Sequence, residues 1–282
     1  PYVLEDMTDE YGSNYLAPLG SIIHTYAGII YNEEMLWSVG YKTFPETWEE
    51  FFVCLEKLQD AGITPLALHG SGSYWAPMLI ATAYLMSTEE GREFLATSFP
   101  DSYENDSVRD MFLMLKKLFN YTFEDALSIG FDQAAERFRG GEAAIIANGK
   151  WMFDSMTSVN LQKMRFARFP GNVLMNAPRM SAWAVTAGYS DKITEGAVKA
   201  LEFRIQREQE DMQALIAGRA DNPLEASYVE TVQQEHTVMP NYQLQWEQEI
   251  QNEFFTEYLA QYLQETITVD NLILMMNQRL NM

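Results

Sequence analysis

Apolar positions recur along this chain in two periods, and the change from one to the other marks off helices from strands. Apolar residues at 48, 51, 52, 55 and 58 share one helical face. Thr47 stands ahead of them and Glu50 three residues on, a Ser/Thr-x-x-Glu box in which each side chain satisfies the other's backbone N–H, so a helix is expected to start there. Gly62 ends it, and the apolar run 63–68 reads as a buried strand. Upstream, 29–31 reads as a strand closed by Asn32, whose side chain can cap a short helix over 33–39 that stops at Gly40. Small residues at 69–73 form a loop that presents Tyr74 and Trp75 at a strand end.

Ser87 and Glu90 make a second capping box, and Val108, Met111, Phe112, Leu115, Leu118 and Phe119 mark another helical face. Asp132 is expected to cap a helix running to Arg139, where Gly140 and Gly141 end it. A short apolar strand follows over 143–147, then a turn at Asn148 and Gly149, then a helix opened by Trp151. Further strands are expected over 165–169 and 182–186, a helical region over 194–217, and a looser stretch around Pro223 and Pro240. Two helices close the chain, over 245–264 and 269–280, the second capped by Thr268. Strands alternating with helices over this length define an α/β fold. There is no internal repeat and no low-complexity linker, a pattern that fits lobes assembled from discontinuous segments.

With 282 residues, 47 % of them hydrophobic, the chain can bury a substantial core. No apolar run reaches the ~18 residues of a membrane span, so direct membrane insertion is not expected. Forty acidic residues against 19 basic ones give a formal charge of −21, a field that repels nucleic-acid phosphates and anionic lipid. The acidic residues are scattered, as a solubilising surface would have them. The single cysteine rules out an intrachain disulfide, and Cys54, among Phe51, Phe52, Leu55 and Leu58, reads as a buried structural thiol.

Little points to catalysis. The three histidines, His24, His69 and His236, stand alone without the paired spacing of a zinc site, and no cofactor motif such as a phosphate-binding glycine loop occurs. Gly70-Ser71-Gly72-Ser73 lacks the spacing of a hydrolase nucleophile elbow. A pair of glycosidase carboxylates, which meet in space and not in sequence, stays open as an alternative. Aromatics say more. Among six Trp, Trp37 and Trp48 sit in helical patterns, whereas Trp75, Trp151 and Trp183 fall at strand ends or turns. Ligand clefts of α/β proteins open at the carboxyl ends of strands, and a flat indole there suits the apolar face of a sugar ring.

Three groups of residues carry a resemblance: Gly28-Ile29-Ile30-Tyr31-Asn32 with Thr47-Trp48-Glu49-Glu50-Phe51 and Ala61-Gly62-Ile63-Thr64-Pro65; Phe138-Arg139-Gly140-Gly141-Glu142-Ala143-Ala144 with Asn148-Gly149-Lys150-Trp151; and Met239-Pro240-Asn241 with Trp246 and Thr268-Val269-Asp270. In this order they resemble the carbohydrate-binding extracellular solute-binding proteins of bacterial ABC importers, the maltose-binding-protein-like family. The resemblance implies a type II periplasmic-binding-protein fold, a sugar held without catalysis between two lobes, and delivery to ABC permease subunits outside the cytoplasm, from the periplasm or a surface lipoprotein. It implies Trp151 as the main stacking residue, Trp246 as a second, and Tyr26, Trp75 and Trp183 as further contacts. A sensor-input domain binding the same ligand is a further alternative. On this reading 1–20 is a remnant of the N-terminal lobe, 21–178 and 237–282 form the C-terminal lobe, and 179–236 crosses between them. The first lobe is expected to be largely absent, leaving a platform that binds weakly and a surface prone to self-association.

Overall fold

The computed structural model describes residues 17–18, 26–72, 74–96, 100–176, 182–216, 222–240 and 246–280. In chain order these form β1 (Ala17–Pro18), β2 (Tyr26–Asn32), α1 (Glu33–Ser38), α2 (Trp48–Asp60), β3 (Thr64–Leu66), α3 (Trp75–Met86), α4 (Glu89–Leu95), α5 (Asp106–Leu118) and α6 (Phe131–Arg139). Next come β4 (Ala143–Gly149), a 3-10 turn (Lys150–Ser155), α7 (Ser158–Lys163), β5 (Met164–Ala167), β6 (Val173–Asn176), β7 (Ala182–Trp183), α8 (Asp191–Ile216), α9 (Pro223–Gln233) and β8 (Thr237–Pro240). A π-helical stretch (Ile250–Tyr258), α10 (Leu259–Leu263) and α11 (Val269–Leu280) close the described chain.

The main sheet runs β3-β4-β2-β6-β8, with β5 also on β2. β2 is antiparallel to β4, β5 and β6, while β3 is parallel to β4 and β8 to β6, so β2 alone is reversed. β5 and β6 share one edge of β2: Ala167 faces Ile29 and Met175 faces Ala27. The excursion between them turns at Gly171 and Asn172, both at positive φ. Direction matters for function. The carboxyl ends of five strands, at Leu66, Gly149, Asn176 and Pro240 among others, gather at one end with Tyr26, the first residue of β2.

Side-chain alternation along β2 builds a layer on each face. Ala27, Ile29 and Tyr31 face a core with α2, α3, α5 and the closing helices; Tyr26 and Ile30 face another with α6, the 3-10 turn and α9. Gly28 belongs to the second face, and a Cβ there would lie 2.4 Å from the Ala167 carbonyl oxygen and 2.8 Å from the Phe166 ring. Only glycine lets the strands approach so closely. α9 seals the outer edge of β5 with two hydroxyls one helical turn apart. The Phe166 N–H donates to Ser227 Oγ (2.8 Å), and Thr231 Oγ1 donates to the Phe166 carbonyl (3.2 Å).

Several sequence expectations need adjustment. Thr47 and Asn32 cap α2 and α1 as expected, accepting from Glu50 N and Met35 N, and Thr268 accepts from Asn271 N at the start of α11. The cap of α4, however, is Thr88, which accepts from Gly91 N, while Ser87 Oγ takes the Trp48 indole N–H. Gly130 and not Asp132 occupies the N-cap of α6. Asn148 and Gly149 extend β4 instead of turning. The looser stretch after residue 222 is the helix α9, started by Asn222 and Pro223. α3 also escaped notice, because it is buried nearly all round and shows no polar face to give it a helical period.

Segment 179–236 divides in the structure. β7 pairs with β1 in a two-stranded ribbon, and none of the described side chains of α8 belongs to either core cluster, with Phe203 67 % exposed. α9 instead contributes Leu224, Tyr228 and Val229 to the second core. Residues 1–16, 19–25 and 177–181 lie outside the described residues, so most of the expected N-terminal remnant over 1–20 and the start of the expected crossing segment over 179–236 do too.

Candidate functional site

At the shared end of the strands, β4 runs directly into the 3-10 turn that carries Trp151. Asn148 is fully buried and braces that junction, its Oδ1 accepting from Gly149 N (2.8 Å) and its Nδ2 donating to Met152 Sδ (3.0 Å). The Trp151 indole folds back over Gly149 so closely that a Cβ there would sit 2.3 Å from ring atoms Cη2 and Cζ3. Trp151 is 45 % exposed as a residue. The indole thus rests against the Gly149 backbone while nearly half of the residue stays exposed, as a stacking platform requires.

Around it stand other polar and aromatic groups. The Lys150 ammonium lies 4.7 Å above the Phe153 ring and 3.4 Å from Glu225 Oε1, at the start of α9. Tyr26 is buried, its N–H donates to the Tyr228 hydroxyl (3.2 Å), and its ring meets His236 edge-on at 5.4 Å. Burial raises the Tyr26 phenol pKa, and a hydrogen bond with Asn176 offsets part of that rise. Tyr26 thus presents little ring surface, and its hydroxyl is engaged with Asn176. After β3, His69, Trp75 and Phe131 form a second aromatic group, with Trp75 and Phe131 centroids 4.9 Å apart and His69 5.7 Å from Phe131. Trp75 is half-buried at the first residue of α3.

The remaining two expected residues belong to other elements. Trp183, 38 % exposed, sits in the β1–β7 ribbon with the Arg204 guanidinium 5.0 Å over its ring. Trp246 is placed in the first core, 3 % exposed, its indole N–H donating to Thr82 Oγ1 (2.9 Å) and its ring among Phe94, Tyr103 and Phe255. A ring packed on both faces and bonded at its nitrogen has no face left for a ligand, so the structure gives Trp246 a packing role. Sequence reading did not single out Lys150, Glu225, Asn176 or Phe131; Lys150 carried a signal as the neighbour of Trp151 in the Asn-Gly-Lys-Trp run, and Phe131 as the start of the Phe131-Asp132-Gln133-Ala134-Ala135 run that shares the family resemblance.

The Cys54 thiol is pushed up to about 12 by burial, the opposite of an activated nucleophile. No group of three or more His, Cys, Asp or Glu able to hold a metal occurs among the described residues. Among them, too, no helix is long and apolar enough to cross a membrane. A cavity of about 840 Å³ opens beside β5, lined by Glu33, Phe44, Arg165, Arg168, Ser227 and Glu230 among others. It shares no residue with the aromatic platform, and Glu33 and Arg165 inside it are already ion-paired.

Comparison with known proteins agrees with this architecture. Residues 7–239 match the family described as bacterial extracellular solute-binding protein, and the chain belongs to that family. A "Probable sugar-binding periplasmic protein" of Rhizobium meliloti (strain 1021) is 25 % identical over 196 residues, 66 % of this chain and 46 % of that protein. The chain thus spans less than half the length of that relative. Among solved structures, a chitin oligosaccharide binding protein superposes with a TM-score of 0.81 at 22 % identity, over 99 % of this chain and 73 % of that one. A sugar transporter protein from Bacillus licheniformis in complex with stachyose gives a TM-score of 0.73 at 14 % identity, over 99 % and 76 %. The fold is that of the type II periplasmic solute-binding proteins.

Proposed function

We propose that this chain binds a sugar or oligosaccharide without transforming it, as part of an extracytoplasmic receptor that delivers its ligand to an ABC-type permease. The observation that carries this reading is the Trp151 indole, seated on Gly149 at the carboxyl ends of the strands in a residue that stays nearly half exposed. Trp75 with Phe131 offers a second apolar surface at the same end, and Tyr26 and Asn176 supply groups that can exchange hydrogen bonds with hydroxyls. Membership of the solute-binding family supports binding over turnover, and the names of the relatives point to carbohydrate. Trp183 belongs to this reading only as a contact contributed from the ribbon side.

Calorimetric titration with chitin oligosaccharides, raffinose and stachyose tests the proposal, alongside assays on chromogenic glycosides. Binding by the wild type, lost or weakened ~5–100-fold in Trp151→Ala, is expected. Turnover of a glycoside that disappears on replacing one carboxylate would establish the hydrolase alternative instead. Unchanged affinity in Trp151→Ala would remove the platform assignment.

A further inference from the structure

We propose that Glu225, acting through Lys150, is a positioning residue for the Trp151 ring, so that the first turn of α9 and the stacking platform move as one unit. This rests on the reading of Trp151 as the stacking residue.

The 3-10 turn over Lys150–Ser155 is short, and isolated 3-10 turns have poor hydrogen-bond geometry of their own, so its shape depends on neighbours. Asn148 braces it from the sheet side through Met152 Sδ. On the other side the brace is Lys150, immediately before Trp151, held between the Phe153 ring and Glu225. The side chains of Lys150 and Glu225 are only 12 % and 23 % exposed, unlike surface pairs such as Lys199–Glu195 at 68 % and 66 %. A pair this sheltered is little screened by salt, and removing one member strands the other in a poorly hydrated place.

Glu225 is itself firmly placed. Its N–H donates to the Asn222 cap (2.9 Å), Pro223 presets the first turn, and one turn further on the Tyr228 hydroxyl accepts the N–H of Tyr26. The start of α9 therefore holds both sides of the site: Trp151 through Glu225 and Lys150, and Tyr26 through Tyr228. A displacement of Asn222–Glu225 would shift the ring that receives the ligand.

The test uses the full-length protein labelled with 5-fluorotryptophan, with the Trp151 fluorine resonance assigned by Trp151→Phe. Without any ligand, Glu225→Gln and Lys150→Met should each shift or broaden the Trp151 signal while leaving Trp48 and Trp246, in the other layer, in place. The exchange Lys150→Glu with Glu225→Lys should return it toward the wild-type position. Where Glu225→Gln fails to fold, Glu225→Asp, which keeps the charge and shortens its reach, serves the same comparison. Affinity for whichever of the chitin oligosaccharides, raffinose or stachyose binds should fall ~10-fold in the single variants. A lowered melting temperature with an unmoved Trp151 resonance would show that the pair merely fastens α9 to the sheet, and the proposal would fall. Absence of binding to all three sugars by the wild type would count against the function proposed above, with the fluorine spectra still deciding the role of Glu225.

Discussion

Gly149→Ala is the sharpest perturbation of the platform, because it changes one methyl group and leaves the backbone unforced. Gly149 has φ −115° and ψ 177°, extended values that alanine adopts freely, so no conformational strain is introduced. The added Cβ would lie 2.3 Å from two ring atoms of Trp151 and 2.5 Å from a third, where ordinary contact starts near 3.4 Å. The ring must therefore retreat by roughly 1 Å or rotate away, and being partly exposed it can do so at small cost to the fold. Loss of the stacking geometry is worth ~1–2 kcal/mol, or ~5–30-fold in Kd. Calorimetry and thermal melts of Gly149→Ala, Trp151→Ala and the double variant form a cycle. The expected pattern is weakened binding in both single variants, no further loss in the double, and a melting temperature within a few degrees of the wild type. Wild-type affinity in Gly149→Ala would refute the argument. So would an equal destabilisation by Gly149→Ala when Trp151 is already alanine, since the clash would then be with something else.

Thr82→Val strands the Trp246 indole N–H inside the core, so stability should fall by ~1–3 kcal/mol in chemical denaturation while sugar affinity stays put; a selective loss of affinity would return Trp246 to the site. Replacing Ser227 by Ala and Thr231 by Val uncaps the outer edge of β5, and amide exchange at Phe166 should accelerate before that of Ile30 in the central strand. Cys54 should resist thiol reagents at pH 8 until the protein is unfolded. Its pKa is raised from 9.0 to about 12, so the unfolded thiol ionises first. Stability from this group is complete below pH ~9 and is lost as pH rises toward 12, and Cys54→Ala should flatten that part of the stability–pH curve. Labelling of native protein at pH 8 as fast as a free thiol would contradict the burial.

Local elements of this protein were legible wherever one side of an element meets water. α2 and α5 announced themselves because polar and apolar residues alternate at helical period, and Thr47, Asn32 and Thr268 cap what they were expected to cap, because capping is a contact between near neighbours in the chain. α3 carried no such contrast, being buried nearly all round, and α9 was hidden behind Pro223, which starts a helix as readily as it breaks one. The Asn-Gly-Lys-Trp run marked Trp151 correctly as a residue at a strand end. What the sequence held but could not display was direction and partner. Pairing of β2 against β4, β5 and β6 turns Tyr26 to the same end as Gly149 and Asn176, although both lie more than a hundred positions from it. The same long-range packing put Trp246 beside Thr82, 164 residues away, and Glu225 beside Lys150, 75 residues away. Whether a tryptophan fills a core or offers a face to a ligand depends on what covers its two sides, and only the folded sheet supplies those neighbours.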